Sequence, residues 1–144
     1  MLNKKLEQYL IKHEEIRYKP YLCPAGKLTI GVGRNIEDNG LTKDEIMYLL
    51  KNDIERCEKE LKKIFTDFDN LPENVKIVLI DMIFNLGETR FKKFKKLIKA
   101  VKKRNWDRMI IEMKNSKWCR QVKKRCRDNV LLIEHLGDEL LRIA

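Results

Sequence analysis

One hundred and forty-four residues, 43% of them hydrophobic, are enough for one packed domain and too few for two independent cores. Lys and Arg number 32 against 22 Asp and Glu, a net charge of +10 that favours polyanions but does not by itself choose among nucleic acid, cell wall and membrane surface. The longest apolar runs, such as Ile77–Ile80 and Val130–Ile133, fall far short of the roughly 20 residues that cross a bilayer. The N-terminus meets charge at Glu7 and Lys12 before a signal-peptide core can form, so a soluble chain without its own export signal is expected.

In chain order, Leu2, Leu6, Leu10 and Ile11 recur at helical spacing and predict an amphipathic helix over about Asn3–His13, which Pro20 cannot continue. Glu14 then stands at its C-terminal end. The pattern changes at Tyr21-Leu22-Cys23 and Leu28-Thr29-Ile30, two β-like runs around the turn-forming Pro24-Ala25-Gly26. Asp38-Asn39-Gly40 signals a turn, and Thr42-Lys43-Asp44-Glu45 matches a capping box that opens the longest helix, through Ile46, Leu50, Ile54, Cys57 and Leu61. Pro72 suits the first turn of another helix, with Val75, Val78, Leu79, Met82 and Ile83 on its apolar face and Gly87 at its end. Further helices are predicted around Phe91–Val101, Trp106–Met113 and Val122–Leu136. With no repeat, low-complexity segment or long linker, the fold class is α+β and mainly α-helical: one domain over 1–144, with a β-hairpin subdomain near 18–40 and a helical lobe near 41–144 plus the N-terminal helix.

Charge is unevenly placed. Residues 90–127 hold 17 basic residues against Asp107 and Glu112, while residues 1–89 hold 14 basic and 16 acidic ones. The four cysteines have no C-x-x-C spacing and the two histidines lie far apart, so neither a metal site nor a cofactor is expected. Cys119 and Cys126 on one continuous helix would lie about 10 Å apart, beyond the reach of a disulfide. All four are therefore expected as thiols.

Glycoside cleavage requires a proton donor at the leaving oxygen and a group on the opposite face that handles water or the developing cation. A donor that stays protonated near neutral pH calls for burial or an apolar wall, which the end of an amphipathic helix can supply. Spacing alone leaves Glu14 as one charged residue among many.

His13-Glu14, Arg17, Tyr21, Cys23, Gly26 and Thr29-Ile30-Gly31-Val32-Gly33 together resemble the signature of the phage-type lysozymes, glycoside hydrolase family 24. Glu14 and Cys23 enclose eight residues, and Cys23 and Thr29 enclose five. The resemblance resumes at Phe84-Asn85-Leu86-Gly87-Glu88-Thr89, Phe94, Trp106 and Ser116-Lys117-Trp118 through Gln121 and Arg125. It implies a lysozyme-like fold with a cleft between hairpin and helical lobe. It also implies a muramidase that cleaves the β-1,4 bond between N-acetylmuramic acid and N-acetylglucosamine, with inversion.

Residue by residue, it implies Glu14 as acid, Cys23 in place of the second carboxylate, Thr29 holding the attacking water, Phe84 and Gln121 near substrate, and Arg125 paired with Glu14. Two positions depart from the family. Glu15 stands where many members have glycine, and serves as a second-ranked acid; Arg34 stands where many have histidine. Trp106 and Trp118 are expected in the core. The resemblance further implies a monomer acting on peptidoglycan and the anionic wall, with no specific nucleic acid, from the host cytoplasm after a holin-like lesion. The competing readings are a non-catalytic basic module for wall polymer or nucleic acid, and a lytic transglycosylase, which needs the acid but no base.

Overall fold

A computed structural model describes residues 3–136 of the chain. The chain divides into two compact units, Met1–Leu49 and Leu50–Ala144. The predicted N-terminal helix is counted with the first.

In that first unit, α1 (Lys4–Glu14) starts at Asn3, whose side chain accepts from the Leu6 N–H at 3.3 Å. Leu2, part of its expected apolar spacing, lies outside the described residues. The helix ends where Glu15 turns to φ 63° and ψ 162°. The predicted hairpin is β1 (Arg17–Leu22) against β2 (Leu28–Gly31), with Tyr21 opposite Thr29, and a short third strand, β3 (Arg34–Asn35), completes an antiparallel sheet in the order β1-β2-β3. The Asp38-Asn39-Gly40 signal closes a single helical turn, α2 (Ile36–Asn39), capped by Asn35. The capping box is present as predicted at the start of α3 (Lys43–Ile64). The Thr42 N–H donates to Glu45 Oε1 at 2.8 Å and the Glu45 N–H to Thr42 Oγ1 at 3.2 Å. Arg34 locks this corner by two bonds to the Glu45 carboxylate and one to the Gly40 carbonyl. Caps and sheet bonds hold the unit rather than a core: among the described residues before Cys57, Thr29 alone is buried.

The second unit is helical. From Leu50 onward α3 contributes Cys57 and Leu61 to a core built round α4 (Glu73–Leu86), whose Val75, Val78, Leu79, Met82 and Ile83 are buried. The expected 91–101 helix is two pieces, α5 (Glu88–Phe91) and α6 (Lys95–Lys102); then come α7 (Trp106–Lys114), α8 (Lys117–Val122) and α9 (Lys124–Glu134). α6 and α7 pack as neighbours, and α9 lies against both α7 and α4. Both tryptophans are structural: Trp118 is buried and donates Nε1 to Asn85 Oδ1 at 2.8 Å, and Trp106 packs half-buried on the core.

The cysteines correct an expectation. Cys119 and Cys126 form a disulfide, with Cα atoms 5.1 Å apart, because no continuous helix joins them. At Lys123 the backbone turns to φ 47° and ψ −96°, ending α8 and starting α9 in a new direction, so the axial rise behind the 10 Å estimate does not apply. The predicted 122–136 helix accordingly begins at Lys124. Cys23 and Cys57 remain thiols.

Candidate functional site

Three of the predicted residues fall in the first unit, on consecutive elements. Glu14 is the last residue of α1, Cys23 follows β1 in the hairpin turn, and Thr29 is central in β2. The Glu14 side chain is exposed to solvent rather than enclosed by the expected apolar wall. Its carboxylate nevertheless lies close to backbone: a Cβ added to Gly33 would stand 2.8 Å from Glu14 Oε2. Gly33 also holds φ +65°, a conformation side chains resist. The glycine after Val32 is what lets the acid lie over the sheet.

The turn makes a polar nest for the Cys23 sulfur. Its backbone N–H is held by the Lys27 carbonyl at 2.9 Å, and Gly26 N–H closes the turn onto the Cys23 carbonyl at 2.8 Å. The Lys27 N–H is the main influence that holds the Cys23 thiol below its ordinary pKa; partial desolvation opposes it, and the Ala25 N–H, the Thr29 hydroxyl and the residue's own N–H reinforce it. Thr29, buried, donates its hydroxyl to the Lys27 carbonyl at 2.9 Å. One hydroxyl proton cannot serve both the Lys27 carbonyl and the sulfur. It rests on the carbonyl here, and would swing to Cys23 once the thiol ionises. Glu15, the second-ranked acid, points its carboxylate to within 3.9 Å of Arg17 Nε, and the Arg17 guanidinium lies 4.7 Å from the centre of the Tyr21 ring.

The second unit brings Phe84 and Arg125 together. With Leu50, Ile54, Ile77, Ile80 and Asp81 they line a largely apolar hollow of about 390 Å³. Within this unit Arg125 is held by Asp81. Its Nε and Nη2 grip the Asp81 carboxylate at 2.9 and 2.7 Å, and Asn129 Nδ2 adds a third bond at 2.9 Å. Desolvation pushes the Asp81 carboxyl up, but the bonds from Arg125 and Asn129 outweigh it and leave it below its ordinary value. Gln121 sits exposed in the last turn of α8 and does not line the hollow. Asp81 was missed from sequence, although it left a signal: a lone carboxylate within Val78-Leu79-Ile80-Asp81-Met82-Ile83 has to find a cation or hydrogen-bond donors.

The first unit therefore offers a carboxylic acid close to glycine backbone, a thiol whose pKa is held below its ordinary value and a hydroxyl beside it, and the second offers an apolar hollow with a fixed guanidinium. Residues 11–130 match the phage lysozyme family. Among curated proteins the chain is 28% identical over 147 aligned positions to a probable T4-type lysozyme 2 of Dictyostelium discoideum, covering 81% of this chain and 86% of that protein. A probable T4-type lysozyme 1 of the same organism is 28% identical over 97 positions, 65% of this chain and 57% of that one. The matched span includes Glu14, Cys23, Thr29, Phe84 and Arg125, and the chain belongs to the phage lysozyme family.

Proposed function

We propose that this cell-wall hydrolase of the lysozyme type cleaves the β-1,4 bond between N-acetylmuramic acid and N-acetylglucosamine, with Glu14 as the acid and Cys23 with Thr29 on the water side. The observation that carries the reading is the Glu14 carboxylate seated against Gly33 in the same unit as a thiol whose pKa is lowered and whose neighbour is a buried threonine hydroxyl. In this mechanism Glu14 gives its proton to the glycosidic oxygen as the bond from the anomeric carbon breaks. Water attacks that carbon from the opposite face, its proton passing to the Cys23 thiolate while Thr29 Oγ1 accepts its second hydrogen. The product is inverted. Phe84 and Gln121 are proposed as glycan contacts, and Arg125, held by Asp81, as a fixed donor at the floor of its hollow.

In its biological setting the enzyme acts as a monomer on peptidoglycan and its anionic polymers. It accumulates in the host cytoplasm and reaches the wall after a holin-like lesion, causing lysis. The test is sugar release from purified peptidoglycan by wild type and Glu14→Gln, with product masses. New reducing ends from the wild type and a loss of at least 100-fold in the variant are expected. Anhydro products would replace hydrolysis with transglycosylation, which needs no base from Cys23. Wall binding without release by either protein would leave the non-catalytic module.

A further inference from the structure

The basic half of the chain has a definite shape. A hollow of about 380 Å³, lined in part by Lys93, Lys95, Lys96 and Lys117, meets a second of about 320 Å³, lined in part by Lys99 and Lys103, and Lys96 belongs to both. Together they form one groove along α6. Some cations of this unit are paired, Lys92 with Glu88, Arg104 with Asp67, Arg108 with Glu112, Lys114 with Glu134 and Arg125 with Asp81. Among the described residues, none of the six groove lysines has an ion-pair partner, and all six are exposed. Glu112, the one acid lining the groove, is taken by Arg108 at 2.7 Å.

This arrangement works against the helix that carries it. Lys95 and Lys99, and Lys99 and Lys103, are four residues apart, a spacing at which like charges repel and a glutamate would stabilise. A polyanion in the groove would relieve that repulsion. Lysine ammonium groups meet phosphate as point charges, and the groove's arginine, whose fork would suit carboxylate or phosphate, is already paired. Lys96, Lys99 and Lys103 advance along the helix by about 4.5 and about 6 Å, which suits a ligand charged at every repeat. The aromatic lining the groove, Phe94, is packed on the core and offers no platform for stacking bases.

We propose that the α6 groove binds the phosphodiester polymer chains covalently attached to peptidoglycan, of the teichoic acid kind, and so holds the enzyme on its substrate. The inference rests on the lysozyme reading for its choice of partner. Its effect is on residence at the wall and not on the bond-breaking step.

The experiment is co-sedimentation of the full chain on ice with purified walls carrying such polymers, and with the same walls stripped of them by hydrofluoric acid, for wild type and Lys96→Gln/Lys99→Gln/Lys103→Gln. A melting temperature no lower than the wild type's establishes that the variant is folded. The wild type should bind intact walls at least 10-fold more tightly than stripped ones, and the variant should lose that preference. The slope of log affinity against log salt should fall by about two to three on losing three phosphate contacts. Both proteins should release sugar from stripped walls equally. Equal wild-type affinity for both walls overturns the groove and leaves the hydrolase standing. A wild-type preference that the variant loses, with no sugar release from either protein, supports the groove while removing the hydrolase; a preference that the variant keeps overturns the groove. Tighter binding to single- or double-stranded DNA than to intact walls, at one salt concentration, assigns the groove to nucleic acid and overturns the proposal.

Discussion

Two thiols and one backbone angle give the sharpest expectations at the level of single residues. Cys23 is half-buried with its thiol shifted toward ionisation, whereas burial pushes the Cys57 thiol up and encloses it completely. Iodoacetamide at pH 7 should therefore add one carbamidomethyl group, at Cys23, and abolish activity in step, as peptide mass mapping and sugar release will report. Labelling at Cys57 first, or full activity after complete labelling of Cys23, contradicts the assignment. Glu15 at φ 63° and ψ 162° occupies a region almost reserved for glycine, at a cost of order 1–3 kcal/mol. Glu15→Gly should stabilise the chain by about 1 kcal/mol once the greater freedom of unfolded glycine is subtracted, raising the melting temperature by about 3 °C. An unchanged or lower melting point counts against strain there. The sequence disclosed these positions unequally. The hairpin that carries Cys23 and Thr29 was legible from local pattern, whereas the Asp81–Arg125 pair was not: the two lie 44 residues apart, and only the packing of α9 on α4 brings them together.

Among the elements, the start of α3 couples most directly to pH. The two bonds from Arg34, with the Thr42 N–H, hold the Glu45 carboxyl down from 4.5 to about 2. A carboxyl depressed on folding stabilises fully above its unfolded value, and that contribution is lost as pH falls through the folded one. The corner should thus weaken between about pH 4.5 and 2, and Glu45→Gln should flatten that part of a stability-against-pH curve measured by urea melts. An unaltered curve in the variant places the acid sensitivity elsewhere. Arg34, noted from sequence as a departure from histidine, has its explanation in this corner. Helix starts were legible at Asn3 and Thr42, whose side chains cap them, and at Pro72, whose fixed φ suits a helix start. The breaks after Phe91 and at Lys123 were not, since no glycine or proline marks either point. The second break matters energetically. The disulfide closes a short loop, for which chain entropy gives about 2.5 kcal/mol. Cys119→Ser/Cys126→Ser should melt lower by a corresponding margin, and reductant should bring the wild type down to the variant's melting point while leaving the variant unmoved.

Across the molecule, charge and core divide the labour. The first unit carries the acid, thiol and hydroxyl with little burial of its own, and the second holds both the apolar core and the basic groove. Class and helical content followed from periodicity and turn chemistry, and the family from a signature confined to a few dozen residues. The disposition of lysines into a groove did not, because a count of charges carries no shape until α6 and α7 are packed. The Cys119–Cys126 bond adds a dependence on address. Thiol pools inside cells keep such pairs open, while oxidising surroundings close them. A chain of this kind would be softest where it is synthesised and would harden on arrival outside, where proteases act on whatever opens. Its durability would then be acquired in transit, and a protease-resistance assay before and after exposure to an oxidised glutathione buffer would time that acquisition.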